Sequence, residues 1–245
     1  MPTSTPRVFL LIGQSNMAGR GVIDEVAAID DPDILMFRDG RWVTAREPLH
    51  TDKPDRTGIG IGMSFAQEIL AAEPGASVGL VPCAVGGTPL GRWMPGGDLS
   101  EAAVSTAREA LADGDLAGFL WHQGESDSGE ESVAASYGQR LTAAIGGLRA
   151  QLGASDTPFI AGELGEFLSE REPAVHFAAV NSALAQLSTE VPLYGCASAA
   201  GLTDKGDSVH FDSQSLREFG RRYAAEYLRV RTQSTLGISS TATVG

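Results

Sequence analysis

The chain has 245 residues, more than the common domain length of about 100 to 200, but α/β domains of this size fold as one unit. Apolar residues at 42% and charged residues at 20% match ordinary globular usage, so a sizeable core needs no staple or metal, and disorder is expected only at the ends. Eighteen basic against thirty-one acidic side chains give a net charge of −13, which argues against nucleic-acid and anionic-membrane partners and points to neutral or small ligands.

In chain order, Met1–Arg7 leads into Val8–Ile12, an apolar run too short for a secretory core and without a small-residue cleavage site. No other stretch is long enough to cross a bilayer, so the reading places the chain in the cytoplasm; a leader trimmed before residue 1 would make it secreted instead. Val8–Ile12, Val78–Cys83, Gly118–Trp121, Pro158–Ala161 and Pro192–Cys196 are predicted strands. Between them, helical spacing covers Met63–Ala72, Glu101–Ala112, Val133–Leu152 and Val175–Leu187, with Ser215–Val230 after the last strand. Nearly continuous apolar strands alternating with helices predict a three-layer α/β/α sandwich around a mainly parallel sheet, in one domain over residues 1–231. Val22–Gly62 has little periodicity and reads as a long excursion at the sheet's rim, and residues 232–245 read as a flexible tail. Cys83 and Cys196 sit in apolar runs as buried free thiols.

In an open parallel sheet, ligands bind outside the carboxyl ends of the strands, so the residues following each strand carry the chemistry. After the first come Gly13-Gln14-Ser15-Asn16, after the second Ala84-Val85-Gly86-Gly87-Thr88, and after the third His122-Gln123-Gly124-Glu125-Ser126-Asp127. Ser15 stands in a glycine-enabled turn, as a nucleophile or as the N-cap of a helix. His210 follows Asp207 by three residues, a spacing that lets the carboxylate hold Nδ1–H and leaves Nε2 to take a serine proton. His50 and His176 have no such company and read as structural or surface residues. Gly87 and Gln123 follow two other strands and are candidate oxyanion donors or plain strand-end residues, while Glu125 competes with Asp207 as the partner of His210. Gly58–Gly62 lacks the strand and the Gly-Lys-Ser/Thr of a phosphate loop, and no ligand spacing suggests a metal or other cofactor. Trp93, in a glycine-rich loop, is a candidate substrate-binding surface; Trp121 reads as core.

With these blocks in hand, the chain resembles the SGNH hydrolases, in the sialate O-acetylesterase and acetylxylan esterase branch of the carbohydrate esterases. The resemblance rests on Gly13-Gln14-Ser15-Asn16-Met17-Ala18-Gly19, Gly86-Gly87-Thr88, His122-Gln123-Gly124-Glu125-Ser126-Asp127 and Asp207-Ser208-Val209-His210-Phe211, and spans most of the chain. It implies Ser15 as nucleophile, His210 as base, Asp207 as its acid, and Ser15, Gly87 and Gln123 in the oxyanion hole. It implies an acetylated sugar as substrate and no cofactor. The α/β-hydrolase plan fits worse, because Met17 stands where Gly-x-Ser-x-Gly needs its second glycine. A general short-chain carboxylesterase and a non-catalytic carbohydrate-binding protein of the same fold are the competing readings.

Overall fold

A computed structural model describes residues 5–241, with side chains through residue 233. Its centre is β1 (Arg7–Gly13), whose side chains alternate between two cores: Val8, Leu10 and Ile12 enter one, Phe9 and Leu11 the other. A strand buried on both faces needs helices on both, and the chain supplies them. On one face lie α2 (Gly62–Ala72) and α7 (Ser213–Thr241); on the other lie α3 (Asp98–Ala110), α5 (Tyr137–Leu152) and α6 (Phe177–Glu190).

The remaining strands are β2 (Ile34–Arg38), β3 (Arg41–Thr44), β4 (Val78–Pro82), β5 (Asp115–His122), β6 (Phe159–Gly162) and β7 (Tyr194–Ala197). They form one seven-stranded sheet in the order β3-β2-β4-β1-β5-β6-β7, parallel except for the β2–β3 pair. The predicted α/β/α sandwich with a mainly parallel sheet is therefore the observed architecture. The chain winds outward from β1 to one edge, returns through β4, then crosses β1 to build the other half from β5 onward. Strand order reverses at β1, and the crevice beyond its carboxyl end is where such a fold binds ligands. The loops meeting there follow Gly13, Pro82 and His122.

Three differences from the sequence reading have local causes. The excursion Val22–Gly62 contains the β2–β3 hairpin, closed by Asp39-Gly40 with both residues at positive φ, the pairing that a two-residue turn of matching twist requires. The predicted helix Val133–Leu152 is two helices, α4 (Glu131–Ala135) and α5, separated at Ser136. Helix α7 continues to Thr241, past the predicted boundary at residue 231, through a stretch with no proline to stop it; residues 242–245 lie outside the described ones.

Candidate active site

Gly13 ends β1 with φ of +124°, and a Cβ there would sit 2.1 Å from the His122 carbonyl oxygen. Only glycine allows β1 and β5 to close this tightly as the chain turns out of the sheet. Gln14 N–H then donates to His122 O at 2.8 Å, and Val85 N–H to Gly13 O at 3.0 Å, which locks the three strand-end loops together. Ser15 opens the one-turn helix α1 (Ser15–Ala18); the N-cap position belongs to Gln14, and no side chain caps the turn. The helix-cap alternative for Ser15 is thereby removed. As first residue of the turn, Ser15 has no intrahelical acceptor for its N–H.

Gly87 reaches the same crevice from the loop after β4, with φ of +76°. Space is not its reason for being glycine, since a Cβ there would meet nothing closer than Lys53 Nζ at 3.7 Å; the backbone conformation is. A buried ion pair fixes this turn: Arg20 Nη2 meets Asp52 Oδ2 at 2.7 Å, and the same oxygen accepts Gly86 N–H at 2.7 Å. Burial pushes the Asp52 carboxyl up, but the Arg20 guanidinium and the Gly86 N–H outweigh it and hold the group below its ordinary value.

Asp207 and His210 lie in the loop before α7. Asp207 Oδ1 accepts the N–H groups of Val209 at 3.0 Å and His210 at 2.8 Å, and Oδ2 faces His210 Nδ1 at 2.7 Å. One carboxylate thus folds the loop and orients the ring. Partial burial raises the Asp207 carboxyl, yet its bonds to His210 prevail and lower it overall. Asn16 clamps this loop to the serine turn: Nδ2 donates to Val209 O at 3.1 Å, and Oδ1 accepts Phe211 N–H at 3.1 Å.

Ser15, Gly87, Glu125, Asp207 and His210 all line one cleft of about 890 Å³. Within it, no hydrogen bond joins the Ser15 and His210 side chains among the described residues. Glu125 is turned elsewhere: Oε1 accepts Asn16 Nδ2 at 2.6 Å and stands 3.5 Å from His122 Nε2. Burial raises its carboxyl, but His122 and Asn16 bring it below the ordinary value, so Glu125 is an ionised group bound into the cleft wall.

Two sequence expectations need correction. Trp93 is fully buried, its Nε1 donating to Thr88 Oγ1 at 3.2 Å and its ring set edge-on against Trp121, so it offers no surface to a sugar. The cause is Leu90 N–H, which donates to buried Asp127 at 2.9 Å and draws the loop inward. Gln123 is also fully buried and does not line the cleft. Its Nε2 donates to Asp127 Oδ2 at 2.6 Å, Thr88 O at 3.1 Å and Gln14 Oε1 at 3.2 Å. With two amide hydrogens facing three acceptors, nothing is left for an oxyanion.

His50 is buried, its Nε2 is without a partner, and burial depresses its pKa to about 4 despite Asp52 nearby. The unfolded chain therefore binds this proton more readily than the folded one. Stability is complete above about pH 6.5 and falls as pH drops toward 4, by about 3 kcal/mol in full. Urea unfolding at pH 7 and pH 4.5 checks this: wild type loses stability between them, and His50→Asn loses markedly less.

An open, mainly parallel sheet whose strand order reverses beside a cleft lined by Ser15, Asp207 and His210 is an α/β sandwich with its candidate site at the switch point. The family model described as carbohydrate esterase, sialic acid-specific acetylesterase, matches residues 5–229. A probable carbohydrate esterase of Arabidopsis thaliana is 32% identical over 250 residues, covering 93% of this chain and 92% of that one. An X-ray structure of an Arabidopsis thaliana protein, also 32% identical, superposes with a TM-score of 0.83 over 92% of this chain and 99% of that one. NanS shares the fold at 18% identity, with a TM-score of 0.76 over 93% of this chain and 98% of that one. The chain belongs to the sialic acid-specific acetylesterase family of carbohydrate esterases, and is a carboxylic ester hydrolase.

Proposed function

We propose that the protein removes O-acetyl groups from a carbohydrate through an acyl-enzyme on Ser15. The observation that carries this is the 2.7 Å Asp207–His210 contact on the wall of the cleft that Ser15 also lines. With Nδ1–H held by Asp207, His210 Nε2 takes the Ser15 proton as Oγ adds to the acetyl carbon. The Ser15 and Gly87 N–H groups have no acceptor among the described residues and stabilise the resulting oxyanion. The imidazolium returns the proton to the leaving sugar oxygen, and a water activated the same way releases acetate.

Between a neutral xylan and an acidic sugar, the charge of the cleft favours the acidic one. Among the described residues, fourteen of the eighteen lysines and arginines are held by protein acceptors. Of the remaining four, Lys53, Arg56 and Arg171 line this cleft, which also holds the carboxylates of Asp55, Glu125 and Asp207; Arg41 is elsewhere. Three cations without a protein acceptor, lining one cleft of a protein of net charge −13, suit a carboxylate-bearing sugar such as an acetylated sialic acid. Acetate release from acetylated sialic acid, acetylated xylan and 4-nitrophenyl esters of rising chain length tests the assignment. Acetyl sialic acid turns over best, and rates fall sharply beyond acetyl. Neutralising Lys53, Arg56 and Arg171 together raises KM for the acidic sugar roughly tenfold and leaves 4-nitrophenyl acetate unchanged. Equal KM shifts on both substrates would remove the anionic assignment.

A further inference from the structure

We infer that Gln14, not Gln123, supplies the side-chain donor of the oxyanion hole. The inference rests on the Ser15 acyl-enzyme reading and assigns one more catalytic residue to it.

The hydrogen bonds fix which way the Gln14 carboxamide points. Gln123 Nε2 is identified as nitrogen because it faces the Asp127 carboxylate and the Thr88 carbonyl, and Gln123 Oε1 accepts Tyr137 O–H at 3.1 Å. The Gln14 atom it meets must therefore be an acceptor, Oε1, and Ser126 N–H donates to that same oxygen at 3.4 Å. Two donors on Oε1 turn Nε2 away from the buried network. Gln14 lines the cleft beside Ser15, and its Nε2 has no acceptor among the described residues yet is not one of the buried unpartnered atoms. An unbonded Nε2 that is not fully buried, on a residue that lines the cleft, keeps both hydrogens for a ligand there.

The network behind it explains why a buried glutamine is needed at position 123. Arg140 Nη1 meets Asp127 Oδ1 at 2.8 Å, Asp127 holds Gln123, and Gln123 holds Gln14. Donors worth most to an oxyanion are those immobilised before charge develops. As Ser15 Oγ bonds to the acetyl carbon and its proton passes to His210, the carbonyl π pair moves onto oxygen, where Gln14 Nε2–H donates beside the Ser15 and Gly87 N–H groups. Collapse restores the carbonyl, expels the sugar oxygen and returns the His210 proton to it, and the hydrogen bond slackens.

Two measurements test this. Gln14→Leu lowers kcat for 4-nitrophenyl acetate by about 100- to 1000-fold with KM nearly unchanged, since the bond strengthens only in the transition state. In a crystal structure of the wild-type enzyme with a methylphosphonate adduct on Ser15, the phosphonyl oxygen lies about 2.7 to 3.1 Å from Gln14 Nε2. A kcat within threefold of wild type, or an adduct oxygen that contacts backbone N–H groups with Gln14 turned away, overturns the inference while leaving Ser15 as nucleophile. Failure of the phosphonate to modify Ser15 at all overturns both.

Discussion

Ser15→Ala lowers kcat for acetyl-ester hydrolysis by about 10⁶-fold, and adding His210→Ala to it changes the residual rate little. In the proposed mechanism the two side chains act in one step: the hydroxyl is a weak nucleophile without the imidazole, and the imidazole has no proton to take without the hydroxyl. Independent contributions would multiply; members of one catalytic unit do not. Ser15 is held by the Gly13 turn and Gln14 N–H rather than by its own side chain, so alanine there leaves the backbone bonds that shape the cleft in place. A double-variant rate near the product of the single losses would separate the two residues and contradict the triad. Steady-state acetate release together with thermal unfolding distinguishes lost chemistry from lost fold.

Asp207→Asn lowers kcat about 10⁴-fold. Asn retains an oxygen for the Val209 and His210 N–H groups but presents an amide NH₂ to His210 Nδ1, which then takes the wrong tautomer and turns its protonated Nε2 toward Ser15. Glu125→Gln costs on the order of tenfold, because Glu125 acts at one remove: it holds Asn16, and Asn16 holds the His210 loop through Val209 O and Phe211 N–H. The ordering of the two effects is the test. A loss at Glu125 exceeding that at Asp207 would make Glu125 the acid that serves His210 during turnover, in spite of the 2.7 Å contact at Asp207.

What was legible in the sequence follows from how strongly each feature constrains a short stretch of chain. Strands buried on both faces, such as Val8–Ile12, announce themselves as continuous apolar runs, and the order of strands and helices then leaves few topologies. The β2–β3 hairpin escaped although Asp39-Gly40 signals it, because β2 is a five-residue buried run and β3 a half-exposed edge, too short for either period to show. The break at Ser136 escaped because Ala135-Ser136-Tyr137 carries no helix breaker.

At the site, the residues converging on the cleft were readable because each follows a strand or sits three places from its partner. Side-chain direction was not. Gln123 and Trp93 both turn inward toward Asp127 and Thr88, and that depends on Leu90 N–H and Arg140 meeting Asp127 from distant segments, contacts with no sequence spacing to reveal them. Gln14, adjacent to Ser15, carries no signal of its own in the sequence; what singles it out is that Gln123 is spent on three acceptors. The cations that line the cleft were equally hidden, since net charge averages over a surface and Lys53, Arg56 and Arg171 come from two loops far apart in the chain.

The measurement closest to the central claim is peptide mapping by mass spectrometry after reaction with a fluorophosphonate. Loss of fluoride should leave a single phosphonyl group on the peptide containing Ser15, with activity disappearing in proportion, slowed by an acetylated sugar and absent in Ser15→Ala. Modification at another residue, or full acetate release from protein already labelled on Ser15, would contradict the assignment of Ser15 as the nucleophile.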